Sequence, residues 1–204
     1  MSEPMHPRRH QGPRSNGALL KHFLAHPTQT GAVASASASL ADRIVDAAAL
    51  RGAETVVELG PGTGAITERL LPALEPGTTF FAIEINPDFA RATRERCPGV
   101  EVHEDSATNL RRYLALHGRE ACDRIVSSLP WASFAANLQD ELLDEITAAL
   151  APGGRFVTYA YLTGLFLSGG RRFRGELRRR FRRVFHDEIV WKNFPPALVY
   201  VALR

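Results

Sequence analysis

Cysteine is scarce in this chain. Its 204 residues include two, Cys97 and Cys122, in no metal or redox spacing. That excludes a disulfide-stapled secreted scaffold and fits a reduced, cytosolic protein. Long apolar runs are also missing, so no segment reads as a membrane span. The opening "MSEPMHPRRHQGPRSNG" has positive charges with no apolar stretch behind them, and a secretory signal is not expected. No segment repeats. His103 and the trio His186, Asp187 and Glu188 lack ligand spacing, so no metal is expected and they read as surface or strand-edge residues. With 45% hydrophobic and 23% charged residues, the chain is long and apolar enough for one domain with a sizeable core.

The charge is uneven. Residues 169–183, "GGRRFRGELRRRFRR", hold eight arginines and one glutamate, a local +7. Residues 1–26 carry Arg8, Arg9, Arg14, Lys21 and Glu3, a local +3, which leaves −7 for the rest of a chain of net charge +3. An acidic body with two basic segments predicts an anionic partner, nucleic acid or membrane, at those segments.

Residues 1–16 read as a disordered tail, polar and without period, and residues 17–204 as one domain. "GALLKHFLAH" places Leu19, Leu20, Phe23 and Leu24 on one helical face ahead of Pro27. "SLADRIVDAAALRG" predicts a helix capped by Ser39 with Asp42, striped by Leu40, Ile44 and Ala48, and stopped at Gly52. These two form an N-terminal helical cap over 17–52. Strands and helices then alternate: "TVVEL", "AITERLLPAL", "TTFFAIEI", "PDFARATRERC" with Asn86 as cap and Pro87 first, "VEVHED", "DRIVSS", "ANLQDELLDEITAAL", "RFVTYAYL". "HDEIVWKN" and "ALVYVALR" close the chain as a strand pair. The class is α/β: a Rossmann-like, doubly wound, mostly parallel sheet of seven strands with a C-terminal antiparallel hairpin, and ligands at the strand carboxyl ends.

"VVELGPGTGAITERLL" sets Gly60, Gly62 and Gly64 between a strand and a helix, where bare backbone allows a tight turn and close approach of a ligand. Glu84, twenty residues past Gly64 at the end of the second strand, can take both hydroxyls of a ribose. Asp105, ending the third strand, can meet an adenine amino group. Dinucleotide binding competes as a reading, but its loop runs G-x-G-x-x-G, whereas this one is G-x-G-x-G behind an acidic residue.

"ELGPGTG" resembles motif I of class I S-adenosylmethionine-dependent methyltransferases, and the resemblance runs from about Leu40 to the C-terminus. It implies S-adenosylmethionine as cofactor, held by Thr30, Glu58, Gly60, Pro61, Gly62, Gly64, Glu84, Ile85, Asp105, Ser106 and Ser127. Ser128-Leu129-Pro130-Trp131, at the end of the fourth strand, falls where that family builds its catalytic wall. Ribosomal RNA adenine dimethyltransferases carry Asn-Leu-Pro-Tyr there; Ser128 departs from the asparagine and is too short to hold a base edge as well.

Three further stretches, "LLKHFLAHPTQTGAVASAS", "SSLPW" and "VWKNFPPALVYVALR", resemble the bacterial phospholipid N-methyltransferases in order and content. That resemblance implies stepwise methylation of an amine headgroup, phosphatidylethanolamine first, with ornithine lipids as the alternative. An RNA adenine and a soluble small-molecule N-methyltransferase are the rivals. Aromatic walls suit a methylated ammonium; of Trp131, Phe134, Tyr159, Tyr161 and Trp191, the expected substrate contacts are Trp131, Tyr159 and Tyr161. In the basic segment, Phe173, Leu177 and Phe181 share one helical face amid arginines including Arg178 and Arg179, which predicts an amphipathic helix at an anionic membrane surface. The expected protein is cytoplasmic and peripherally membrane-associated, with no nucleic-acid partner.

Overall fold

A computed structural model of the chain describes residues 36–204. The expected tail, the helix over "GALLKHFLAH" and Thr30 lie outside the described residues.

Seven strands form one sheet in the order β3-β2-β1-β4-β5-β7-β6. They are β1 (Thr55–Leu59), β2 (Thr79–Glu84), β3 (Val102–Glu104), β4 (Cys122–Ser127), β5 (Leu150–Tyr161), β6 (Arg183–Val190) and β7 (Ala197–Leu203). The first five run parallel, and β7 enters antiparallel between β5 and β6. This is the doubly wound, Rossmann-like sheet with an antiparallel C-terminal pair that the alternating pattern predicts. The carboxyl ends of β1, β2 and β4 meet where the chain order reverses, the position at which open α/β sheets bind ligands.

Parallel strands buried on both faces need apolar side chains at successive positions, and β1 is buried at all five. Val57 and Leu59 point to one face, with Phe81, Ile125, Phe156 and Tyr200. Val56 points to the other, with Val126, Val157, Val199 and Val201. α1 (Ala38–Ala48) covers this second face through Leu40, Ile44 and Ala48, all fully buried. Its cap is Ser37, not Ser39: the Ser37 Oγ accepts from Leu40 N at 3.2 Å, and the Ser37 backbone N donates to Asn193 Oδ1 at 2.9 Å. That tertiary bond fixes where the chain enters the helix. The helix also stops earlier than Gly52, at Ala49, whose φ is 47°.

The remaining helices are α2 (Thr67–Leu70), α3 (Pro87–Arg96), α4 (Leu110–Leu116), α5 (Ala136–Ala149) and α6 (Ser168–Arg180). α3 starts as predicted, with Asn86 Oδ1 accepting from Asp88 N at 2.9 Å. α4 has no counterpart in the sequence reading. Its seven residues follow a 3₁₀ turn, and only Leu110, Tyr113 and Leu114 mark its buried side. "APGG", just after α5 ends at Ala149, lies within β5, where the register against β4 shifts between Cys122 and Arg124.

α6 corrects the membrane assignment. Phe173, Leu177 and Phe181 are 1%, 0% and 4% exposed. Phe173 stacks on Trp131 with centroids 4.6 Å apart, and Phe181 lies parallel to Phe156 at 5.9 Å. The face of β5 and β7 needs a cover, and burial of each such side chain stabilises by about 1.5–3 kcal/mol, so this stripe belongs to the core. Arg178 and Arg179 remain on the surface.

Candidate active site

The turn after β1 is built by backbone that only glycine adopts freely. Gly60, Gly62 and Gly64 have φ of 70°, 61° and 79°. A Cβ on Gly60 would meet the Leu129 side chain at 2.9 Å, whereas one on Gly62 would meet nothing within 4 Å. Gly60 therefore locks the turn against the end of β4, and Gly62 faces open space. Gly62 N donates to Glu84 Oε2 at 3.0 Å, and Asn86 N donates to Oε1 at 2.9 Å. Thr93 Oγ1, from α3, donates to Gly62 O at 2.8 Å. Pro61 and Ile85 are buried beside this turn.

Two acids lie under the turn. Glu58 is fully buried; its Oε2 accepts from Thr67 Oγ1 at 2.7 Å, and Oε1 has no partner among the described residues. Burial raises its pKa to about 8, with the hydrogen bond from Thr67 opposing and the nearby Glu84 charge adding. Burial also raises Glu84, against the backbone N–H groups that favour its charged form. Asp105 differs. Burial pushes it up, but hydrogen bonds from Ser106 N, Tyr113 and Asn109, with Arg112 nearby, hold it below its ordinary value. Its Oδ2 accepts from Asn109 and Tyr113, both at 2.9 Å, and its Oδ1 from Ser106 N at 2.7 Å. One lone pair of Oδ1 remains for a ligand. The buried Ser106 accepts from Thr108 N at 3.3 Å.

The buried Ser127 ends β4, its carbonyl accepting from Thr158 Oγ1 at 2.8 Å. Ser128 N then donates to Leu59 O at 2.9 Å, so the motif begins one strand away from the glycine turn. The Ser128 Oγ is buried, close enough to Tyr159 to influence its phenol, yet it completes no hydrogen bond among the described residues. Trp131 is 2% exposed, and its indole N–H is also without a partner among them. The Trp131 carbonyl accepts from Gln139 Nε2 at 2.7 Å, and the same amide donates to Gly169 O at 3.1 Å, tying the motif to α5 and α6. A Cβ on Gly170 would collide with the Gly164 carbonyl, so a glycine there lets α6 close over the motif.

These residues wall a cavity of about 240 Å³. Ser128, Leu129, Pro130, Trp131, Tyr159 and Tyr161 all line it, which brings the sequence-predicted acceptor residues together. Tyr159 and Tyr161 meet edge to face at 5.6 Å, and burial raises both pKa values, so both are neutral phenols at ordinary pH. Phe134 is core packing and Trp191 stands 70% exposed outside the cavity. Arg174 and Tyr200 also line it and were not singled out in the sequence: Arg174 is one of eight arginines in its run, and Tyr200 sits in a strand whose pattern explains it as core.

His103 lies on edge strand β3, and it gains partners that the spacing of the sequence does not show. Its Nε2 lies 3.1 Å from His117 Nε2, and Glu101 Oε1 is 3.4 Å and 3.7 Å from the two. Phe81 stacks on His117 and Tyr113 on His103. The group is on edge strand β3, away from the cavity on β5 and β7.

A protein-family model described as a methyltransferase domain matches residues 57–156. An ornithine lipid N-methyltransferase of Singulisphaera acidiphila is 32% identical over 189 residues, spanning 89% of this chain and 92% of that one. A ribosomal RNA small subunit methyltransferase A of Synechococcus is 33% identical over 115 residues, but the match spans only 39% of that protein. Among solved structures, an O-methyltransferase of Streptomyces achromogenes, crystallised with S-adenosylmethionine, aligns over 93% of this chain and 91% of its own with a TM-score of 0.66 at 20% identity. An N-methyltransferase of Bradyrhizobium japonicum, crystallised with S-adenosylhomocysteine, aligns over 80% of this chain and 85% of its own with a TM-score of 0.60 at 16% identity. Fold, glycine turn and relatives together define an enzyme that transfers a methyl group from S-adenosylmethionine. Within that class, the chain belongs to the methyltransferase family that includes the Singulisphaera enzyme.

Proposed function

We propose that the protein N-methylates the amine headgroup of a lipid at a membrane surface. The observation that carries this reading is the aromatic cavity at Ser128-Leu129-Pro130-Trp131, one strand from the glycine turn. Gly60, Gly62 and Gly64 with Glu84, Ile85, Asp105 and Ser106 would hold S-adenosylmethionine. Two observations support the fit: Gly62 faces open space, and the buried Glu58 Oε1 lacks a partner among the described residues. The cofactor supplies an electrophilic methyl group on a sulfonium; everything else falls to the chain. Ser128 Oγ accepts an N–H of the headgroup amine and fixes the direction of its lone pair. The amine must be neutral to attack. The Arg174 guanidinium in the wall disfavours a second cation beside it, so the ammonium gives its proton to solvent water before the methyl is transferred. Trp131 and the two tyrosines then offer ring faces to the methylated ammonium.

Membrane approach has a basis other than the α6 stripe. Phe166 (79% exposed), Leu167, Trp191 (70%) and Phe194 (89%) are exposed large apolar side chains. They stand on the segments that follow β5 and join β6 to β7, which a bond from Leu162 N to Pro196 O at 2.9 Å ties together. Among the described residues no helix is long and apolar enough to cross a membrane. A rim of this kind, with Arg171 exposed on the first turn of α6 and bonded to the Phe166 carbonyl, suits the boundary of an anionic bilayer.

The sequence motifs favour phosphatidylethanolamine as acceptor, while the relative that spans nearly the whole chain is named for ornithine lipid. Expression in a bacterium that makes both lipids and methylates neither separates the two. Mass spectrometry of its lipid extract should show added methyls on one or both headgroups, and an unaltered lipid profile contradicts the reading.

A further inference from the structure

Three of the six arginines of α6 have their charge answered by carboxylates within the protein, and Arg178 is exposed to solvent. Arg172 and Arg180 turn to α5, where Asp140 and Asp144 hold them at 2.7–2.9 Å. Arg179 pairs with Glu176 at 2.9 Å, and Arg171 donates to the Phe166 carbonyl at 3.1 Å. Arg174 is different. It lies half-buried in the cavity wall and makes no ion pair among the described residues. Beside it is the Tyr200 phenol, 4% exposed, which burial pushes up in pKa and Arg174 pulls down.

A guanidinium facing an apolar cavity without a carboxylate is costly unless an anion meets it. Its planar fork of donors matches the oxygens of a carboxylate or phosphate. Two further hydrogen-bonding groups of the same cavity lack partners among the described residues: the Trp131 indole N–H and the Ser128 hydroxyl. The walls thus divide by charge preference. Trp131, Tyr159 and Tyr161 suit an ammonium, while Arg174 and Tyr200, on α6 and β7, suit an anion.

Resting on the lipid N-methylation reading, we propose that Arg174 and Tyr200 form an anion subsite in the acceptor cavity. The subsite binds the carboxylate or phosphodiester that flanks the amine, and it selects zwitterionic headgroups over simple long-chain amines. Arg174 is then a specificity-determining residue rather than a group that acts on the methyl.

The test uses the full chain carrying Trp191→Phe, which leaves Trp131 as the sole tryptophan. Fluorescence titration follows binding of three amphiphiles of equal chain length below their micelle thresholds: an alkylphosphocholine, an alkyl carboxybetaine and a neutral alkyl maltoside. Arg174→Gln should weaken one or both zwitterions by about 10- to 100-fold, the usual weight of a hydrogen bond to a charged group. The maltoside should bind alike in both proteins, and S-adenosylhomocysteine affinity should not move. Arg174→Lys, which keeps charge but not the fork, should fall between. The zwitterion that loses more tells phosphodiester from carboxylate. In turnover with detergent-dispersed lipid, Arg174→Gln should raise KM by a similar factor with little change in kcat. Equal losses for zwitterion and maltoside, or no loss for either zwitterion, overturn the subsite. If wild type methylates no lipid yet binds a zwitterion through Arg174, the subsite stands and the lipid reading falls.

Discussion

The carboxyl edge of the sheet has two halves built in opposite ways. The half under the glycine turn is local in sequence. Gly60 to Gly64, Glu84 and Asp105 each follow directly from the end of a strand, and their acids are held by nearby backbone N–H groups or neighbouring side chains. The acceptor half is assembled from distant segments: Ser128 and Trp131 after β4, Tyr159 and Tyr161 on β5, Arg174 on α6 and Tyr200 on β7. The first half depends on contacts within a few residues of each strand end, whereas the second depends on how α6 and β7 pack against β4 and β5.

The sharpest break in this contrast is at Trp131. Removing an indole stacked on Phe173 and edge-on to Phe134 and Phe156 should cost about 3–5 kcal/mol of stability for Trp131→Ala, read by urea unfolding. The glycine-turn half should respond differently. Glu84→Ala removes an acceptor for two backbone N–H groups and should weaken S-adenosylhomocysteine about 10- to 100-fold by calorimetry; unchanged affinity would remove the ribose assignment.

Glu58 gives this half a pH signature. Its pKa is raised from 4.5 to about 8 in the folded chain, so the unfolded chain loses this proton first. Its contribution is fully present below about pH 4.5, declines as pH rises, and levels off above about pH 8. Glu58→Gln should flatten the fall in apo-protein stability across that window, and an identical slope in the variant would contradict the burial argument.

The smallest effect on stability is expected on the outer surface. Arg178→Gln with Arg179→Gln, which gives up the pair of Arg179 with Glu176, should cost no more than about 1 kcal/mol of stability while weakening flotation with anionic liposomes. Replacing Phe166, Trp191 and Phe194 together by serine should weaken it further. Full flotation of both variants would remove the membrane-facing rim. Arg180 is left out of this pair because its bonds to Asp140 and Asp144 are structural.

Legibility in the sequence follows the same division. The sheet, the glycine turn, Glu84 and the Asn86–Pro87 helix start could be read because each is a local pattern with a local cause. The cap of α1 was misplaced by two residues because a bond to Asn193, far along the chain, decides where the helix begins. The stripe of Phe173, Leu177 and Phe181 was read correctly as a helical face but assigned to a membrane, since a four-residue period is the same whether a bilayer or a sheet covers it. Arg174 was hidden for a related reason: nothing in a run of arginines marks the one that turns inward. His117 became visible as a partner of His103 only once α4 folded back on β3.

Methyl transfer to a lipid amine in the cavity beside Ser128 is the proposal on which the other roles depend. The most direct measurement offers methyl-labelled S-adenosylmethionine to the purified protein with mixed anionic liposomes containing phosphatidylethanolamine or ornithine lipid, and separately with ribosomal RNA, and resolves the products. Label on a lipid headgroup, in as many chromatographic species as methyls are added, is the predicted result. Label in RNA, or in neither while the cofactor still binds, would contradict it.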